Sequence, residues 1–102
     1  MSNRTVGVDQ RVVSSVGAIV NGQPIYVGGN LYSVQVDSPA ALGGTDISLD
    51  KLTWTADLAT LADNSINTVT KRVNWVRPTT AIDAGGPRNF DFRVLVYKEA
   101  GR

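Results

Sequence analysis

The stretch LYSVQVD, residues 31–37, alternates from one residue to the next along its whole length. Tyr32, Val34 and Val36 occupy one set of alternate positions, and three of the other four positions are polar. Because successive side chains of an extended strand point to opposite faces, a period of two is typical of a half-buried β-strand. We therefore predict a strand at 31–37 that turns Tyr32, Val34 and Val36 towards a core.

The same period returns near the end of the chain, in the stretch FDFRVLVY at residues 90–97. One face of this predicted last strand would carry Phe90, Phe92, Val94 and Val96. The opposite face would carry Asp91, Arg93, Leu95 and Tyr97. The first set is uniformly apolar, so we expect it to enter the core.

Composition extends this β signal to the whole chain. The 102 residues include 14 Val, 5 Ile and 9 Thr, whose branched Cβ atoms fit a pleated sheet better than a helix. Eight Asp stand against one Glu, and Asp favours turns whereas Glu favours helix interiors. A chain of this length has room for one core. We predict a single all-β domain, a small antiparallel β-sandwich or barrel of about seven strands.

Further strands are expected between these two. Residues 12–20, 25–27 and 31–37 would form a three-stranded meander, with the Asn21-Gly22 dipeptide as its first turn. A short edge strand near Ile47, an alternating strand at 52–58 and a long strand at 66–77 would follow, the last ended by Pro78.

Three segments are expected to fall outside the strands. Residues 57–63 also fit one short helix, the only one that the sequence allows. Residues 1–10 are expected to be a flexible N-terminal arm, residues 11–98 the β domain and residues 99–102 a tail.

The sequence offers no legible catalytic or metal-binding set. Cys and His are absent, which excludes zinc sites built on them, redox dithiols and any triad with a His base. The pattern Ser48-x-x-Lys51 is too short to indicate a nucleophile, and Asp46, Asp50 and Asp57 lack the spacing of a calcium loop. We predict a non-enzymatic protein with no metal and no cofactor.

The N-terminus gives an expectation about location. Residues 1–4 are not followed by an apolar stretch, and the longest apolar run is residues 17–20. A membrane-spanning helix needs about 20 apolar residues. We expect a protein made in the cytoplasm without a signal peptide and without a membrane partner.

Charge is distributed unevenly along the chain. Residues 1–63 carry three basic and six acidic side chains, and residues 64–102 carry seven basic and three acidic ones. If the two halves stay apart in the fold, the molecule is dipolar and could attract its own copies. If strands from the two halves interleave, the dipole disappears.

The segment 71–77 is the most suggestive for a ligand. Lys71, Arg72, Trp75 and Arg77 combine cations with an aromatic ring, a pattern that could grip phosphates and stack on a base. The simpler interpretation makes Trp75 a core residue with solvated cations around it. We accordingly predict Trp54 and Trp75 in the core with Phe90, Phe92 and Val94, and nucleic-acid binding is disfavoured.

The leading functional hypothesis comes from apolar side chains on the outward faces of strands. Tyr26, Arg93, Leu95 and Tyr97 are the predicted partner-binding residues, covered by another subunit unless the loop at 38–46 or 79–87 covers them. The expected function is a self-associating or docking structural module, and a virion component such as a phage decoration, coat or tail protein is the leading case. Its partner would be itself or a larger protein lattice. The alternatives are a carbohydrate-binding or adhesion module stacking sugars on Trp54, Tyr26 or Tyr32, and a nucleic-acid-binding domain using residues 71–77.

Overall fold

A computed structural model of the protein describes residues 3–37, 43–58, 61 and 65–99. These residues form nine β-strands and no helix, which confirms the all-β prediction with two more strands than expected. Of the segment where a short helix was allowed, residues 57, 58 and 61 are described and none is helical. The strands are β1 (Asn3–Val13), β2 (Val20–Asn21), β3 (Ile25–Tyr26), β4 (Leu31–Asp37), β5 (Gly43–Ser48), β6 (Thr55–Ala56), β7 (Ile66–Val69), β8 (Trp75–Thr80) and β9 (Asn89–Glu99).

Two antiparallel sheets make up the sandwich. Sheet A has the strand order β1-β9-β4-β7, and sheet B has the order β2-β8-β5-β6 with β3 also paired to β8. The two inner strands of sheet A, β9 and β4, contribute seven of the buried apolar residues, and the strands of sheet B contribute Ile25 and Val76. The buried core residues are Val12, Ile25, Val27, Tyr32, Val34, Val36, Leu61, Val69, Val73, Val76, Phe90, Phe92, Val94 and Val96.

The two strands with a strict period of two behave as the sequence predicts. In β4, Tyr32, Val34 and Val36 are fully buried. In β9, the four alternate residues from Phe90 to Val96 are buried while those between them face outwards. Both predicted faces are confirmed.

The predicted meander over residues 12–37 is wrong. β1 and β4 both pair with β9 in sheet A, whereas β2 and β3 both pair with β8 in sheet B. The first strand ends at Val13, and residues 14–19 carry the chain from one sheet to the other. Asn21-Gly22 therefore bends the chain between two short strands that share a neighbour, because turn chemistry fixes a local bend and does not choose the strand partner.

The long strand predicted at 66–77 is two strands in different sheets, and Pro78 lies inside β8 rather than after it. The Pro78 carbonyl accepts a hydrogen bond from the Gly22 N–H at 2.8 Å. In an antiparallel strand, N and O of one residue point to the same neighbour. The missing N–H of Pro78 thus faces the break between β2 and β3, and the ladder between β8 and β5 does not depend on it.

Neither tryptophan belongs to the core, which corrects a further expectation. Trp54 and Trp75 are half-buried, and the predicted strand at 52–58 is reduced to β6, with Leu52 85% exposed just before it. Val73 is buried, but it lies ahead of β8. The inward face of β8 begins at Val76, so an alternation counted from Val73 assigns Trp75 to the wrong side.

Ion pairs settle the question of the charge asymmetry. Asp9 pairs with Arg93, Asp46 with Arg77, and Asp57 with Lys71. Each of these pairs joins an acid from residues 1–63 to a base from residues 64–102. The strands of the two halves therefore interleave, which is the alternative in which the dipole between the halves disappears.

A buried polar cluster ties the connection between β8 and β9 to the end of β1. The Asp83 carboxylate accepts hydrogen bonds from Ser14 Oγ at 2.7 Å and from Arg88 Nε at 2.9 Å, and Arg88 Nη2 lies 2.5 Å from its other oxygen. Arg88 first, and then Ser14, lowers the pKa of Asp83 to about 2. Ser14 Oγ also accepts from the Arg88 backbone N–H at 2.9 Å. The Ser14 hydroxyl thereby holds the loop as both a donor and an acceptor.

Candidate assembly edge and outer faces

The four edges of the sandwich differ greatly in length. Sheet B is bordered by β6 on one side and by β2 and β3 on the other, each of two residues. Sheet A is bordered by β7, with four residues, and by β1, with eleven. An edge strand presents unpaired backbone donors and acceptors along its outer side. Among the strands that the structure describes, β1 is the one long edge.

The alternation of the ladder shows which backbone groups of β1 face this edge. Ser14 N–H donates to the Arg88 carbonyl at 2.9 Å, so even-numbered residues bond towards β9. Val36 N–H donates to the Ser65 carbonyl at 3.2 Å, so even-numbered residues of β4 bond towards β7 and odd-numbered ones towards β9. The even-numbered residues of β9 are therefore the ones that bond to β1, in agreement with Ser14. The N–H and C=O groups of Gly7, Asp9 and Arg11 consequently point away from the sheet, to the free edge.

The outer face of β1 carries one acid and one base, each paired with β9. Arg93 holds Asp9 through Nε at 2.5 Å and Nη2 at 3.0 Å. Arg11 holds Asp91 in the same bidentate manner, at 2.6 and 3.1 Å. These hydrogen bonds lower the pKa of both carboxyls. The pairing fixes a negative and then a positive charge along the free edge.

The inner face of β1 is anchored to sheet B. Gln10 Oε1 accepts a hydrogen bond from Gln23 N–H at 2.6 Å, and its Nε2 donates to the Gln23 carbonyl at 3.1 Å. Val12 is buried beyond this clasp, whereas Val6, on the other side of it, is 38% exposed. The clasp lies on the inner face and leaves the edge itself open.

The four predicted partner-binding residues do not form one surface. Arg93, Leu95 and Tyr97 lie together on the outer face of sheet A, where Tyr97 and Ser33 share a hydrogen bond of 2.9 Å between their hydroxyls. Tyr26 lies on the outer face of sheet B. The expectation that residues 38–46 or 79–87 cover the first three falls in part on residues 38–42, outside the described ranges.

Tyr26 belongs to a second cluster, here called the aromatic face: Tyr26, Lys51, Trp54, Trp75 and Arg77. The Tyr26 and Trp75 rings meet edge to face with centroids 5.0 Å apart, and Tyr26 is 57% exposed. Lys51 Nζ lies 4.5 Å from the Trp75 ring centroid, and the Arg77 guanidinium lies 4.3 Å from that of Trp54. Both are cation–π distances.

A tight turn delivers Lys51 to this face. The Asp50 carboxylate accepts hydrogen bonds from the N–H groups of Thr53 and Leu52, at 2.8 and 2.9 Å, and these contacts lower its pKa to about 2. Lys51 itself has a φ of 67°. Ser48 Oγ bonds to Asp50 while the Lys51 amine lies over Trp75, so the Ser48-x-x-Lys51 pattern forms no nucleophile and base.

The cations of the nucleic-acid alternative are already engaged within the chain. Lys71 pairs with Asp57, Arg72 donates to the Gly29 carbonyl at 2.7 Å, and Arg77 pairs with Asp46 at 3.1 Å. Trp75 and Arg77 share the aromatic face, whereas Lys71 and Arg72 precede β8. Within the described part of the chain, these residues do not form an open basic strip.

Three further expectations can be compared with the structure. Tyr32 is fully buried, so its proposed role as a stacking platform for sugars is wrong. In the described ranges no three acidic residues cluster as a metal site would require. Across the same ranges, none of the residues forms a helix long and apolar enough to span a bilayer.

Comparison with known proteins yields structural likeness alone. No family model and no curated protein matches the sequence. A Bacillus protein of the endospore appendages, described as disulfide-linked pili, has a TM-score of 0.49 and 12% identity, over 97% of this chain and 90% of its own. Chitosan-binding module 1 of a Paenibacillus sp. IK-5 chitosanase/glucanase has a TM-score of 0.44 and 23% identity, over 85% and 74%. Neither likeness carries a functional argument at these values.

Proposed function

We propose that this protein is a structural module that associates with its own copies, and that the free edge of β1 is its assembly contact. The observation that carries this proposal is the length of that edge: eleven residues, against four or two for every other border of the described sheets. Adding a strand to an open edge gains backbone hydrogen bonds without any change of fold.

Proteins that must stay monomeric protect their long edges with proline, a β-bulge, charged side chains or a covering loop. Residues 6–13 carry two charged side chains, Asp9 and Arg11, and each of them is neutralised by an ion pair with β9. Residues 6–13 contain no Pro or Lys, and the pairing of β1 with β9 runs through eleven consecutive residue pairs without a bulge. The three short borders expose few backbone groups, so β1 is where a second chain would gain most.

A virion component, such as a phage decoration, coat or tail protein, is the narrower form of this proposal and rests on the sequence alone. A copy of the same chain is the partner that the edge itself suggests. A larger lattice with an exposed strand would satisfy the same backbone groups.

Arg11→Pro is expected to weaken self-association at least tenfold, because it removes an N–H that faces the edge while the bonds from β1 to β9 come from even-numbered residues. Arg11→Ala is the matched control, since it loses the same ion pair with Asp91 but keeps the N–H. Sedimentation equilibrium over a concentration series would measure both. Equal association of the two variants would contradict an edge contact, and a wild-type chain that is monomeric throughout would contradict self-association itself.

A carbohydrate-binding role is the second candidate, favoured by the aromatic face. Two tryptophans and an exposed tyrosine on one side of a sheet offer ring surfaces of the kind on which sugars stack, and Lys51 and Arg77 add polar contacts. This candidate predicts a shift in tryptophan fluorescence with a panel of cello-, xylo- and chito-oligosaccharides, and its loss in Tyr26→Ala. The buried Tyr32 is unsuited to a matched control, so Tyr97→Ala, on the opposite sheet, should leave the shift unchanged. Absence of any shift across the panel would exclude it.

A further inference from the structure

We propose that two copies pair β1 against β1 in antiparallel fashion about a two-fold axis at Gln10, in the register that sets Asp9 opposite the partner's Arg11. This inference rests on the proposed function, and specifies which contact assembles the protein. It would join the two four-stranded sheets into one continuous sheet across the axis.

Symmetry and hydrogen bonding restrict the possible registers. An edge that meets its own copy forms a closed pair about a two-fold axis. Because Gly7, Asp9, Arg11 and Val13 direct their backbone groups outwards, hydrogen-bonded pairs must join odd residues to odd residues. Three such registers are centred on residues 9, 10 and 11, where the two charged side chains of the edge lie.

Charge decides between these three. One register sets Asp9 opposite the partner's Asp9, and another sets Arg11 opposite the partner's Arg11, so like charges would lie about 5.5 Å apart between Cα atoms. In the third register, Asp9 lies opposite the partner's Arg11 and Arg11 opposite the partner's Asp9. It is the register in which both pairs attract.

The ion pairs already present within each chain extend this complementarity. Arg93 and Asp9 are paired in one copy, and Arg11 and Asp91 in the other, so the joined sheet would carry a row of alternating sign across four strands. Arg11 binds Asp91 through Nε and Nη2. Its Nη1 has no hydrogen-bond partner among the described residues, and it is the donor that can reach the partner's Asp9.

Side-chain size fits the same register. Val13, which is 49% exposed, would lie opposite the partner's Gly7, which has no side chain to oppose it. On the inner face, Val8 would lie beside the partner's Val12. About eight backbone hydrogen bonds would join the pairs from Gly7 to Val13.

A charge-swap experiment tests the register. One variant carries Asp9→Arg with Arg93→Asp, and the other carries Arg11→Asp with Asp91→Arg. Each keeps an attractive pair between β1 and β9, so the fold should persist. The first has Arg at both edge positions and the second has Asp at both. Each alone should associate at least tenfold more weakly than the wild type, while an equimolar mixture should restore association.

The outcomes separate this inference from the proposed function. If each variant alone associates as tightly as the wild type, or if the mixture remains monomeric while the wild type associates, the register is overturned and self-association stands. If the wild type is monomeric at every concentration, both are overturned. Circular dichroism and thermal melting of each variant would confirm that it is folded.

Cysteine cross-linking gives a second readout that needs no charge reversal. Gln10 would face the partner's Gln10 in a non-hydrogen-bonded pair, with Cα atoms about 4.5 Å apart, which suits a disulfide. Gln10→Cys should therefore form a covalent dimer under mild oxidation, since the chain has no other cysteine. Val8→Cys, whose opposite residue is Val12, should cross-link much more slowly. Faster cross-linking of Val8→Cys would overturn the register.

Discussion

Replacing Phe92 by alanine is expected to lower the free energy of unfolding by about 4 kcal/mol. Phe92 is 2% exposed, and it lies in β9 between β1 and β4, opposite Gln10 on one side and Val36 on the other. Its ring packs against Phe90 with centroids 6.0 Å apart. A domain of this size is stable by about 5–15 kcal/mol, so the loss would be a large part of the total. Urea unfolding followed by tryptophan fluorescence would measure it.

Leu95→Ala is the matched control for Phe92→Ala. Leu95 lies three residues further along β9, on the outer face of sheet A, and is half-buried beside Gly7. It removes apolar contacts without opening a cavity in the core, and about 1 kcal/mol is expected. Equal losses for the two variants would show that β9 does not turn Phe92 inwards.

The faces of β4 and β9 could be predicted because they depend on local alternation alone. A period of two over seven or eight residues determines which side chains share a face, whatever strands lie alongside. In β4 this assigned Tyr32, Val34 and Val36 to the core, and the structure buries all three.

Strand partners could not be predicted, because pairing joins residues far apart in the sequence. β1 pairs with β9 across almost the whole chain, with Val13 opposite Asn89 and Val6 opposite Val96. Neither segment contains a sequence signal that identifies the other as its partner. The same limit explains why Trp75 was assigned to the core. The face of sheet B on which Trp75 lies depends on where β8 begins, and Val73 is buried just before β8 without belonging to it.

The candidate assembly edge was missed for a related reason. Residues 6–12 contain a usable signal, since Val6, Val8 and Val12 alternate with Gly7, Asp9 and Arg11. The expectation of a flexible arm at residues 1–10 assigned no strand to most of this segment. Residues 3–10 instead belong to β1 and pair with β9. That β1 is an edge is a property of the sheet order, which no single stretch of sequence encodes.

Gly43→Ala is the second large effect that we expect, a loss of about 3 kcal/mol in the free energy of unfolding. Gly43 is buried at the start of β5 and lies opposite Thr80 of β8. A Cβ at Gly43 would overlap the carbonyl oxygen of Thr79 and lie 2.8 Å from Thr80 Cα. These are backbone atoms of a paired strand, so they cannot give way without opening the ladder between β5 and β8.

The matched control for Gly43→Ala is Gly17→Ala, because the chemical change is the same and the surroundings differ. A Cβ at Gly17 would meet nothing within 4 Å, and its φ lies outside the left-handed region. Alanine there restricts the unfolded chain without straining the folded one, so stability should rise by about 0.5 kcal/mol. Urea midpoints of the two variants should thus move in opposite directions. If Gly43→Ala were as harmless as Gly17→Ala, β5 would not lie against β8 at Thr79 and Thr80, and the order of sheet B would be wrong at that point.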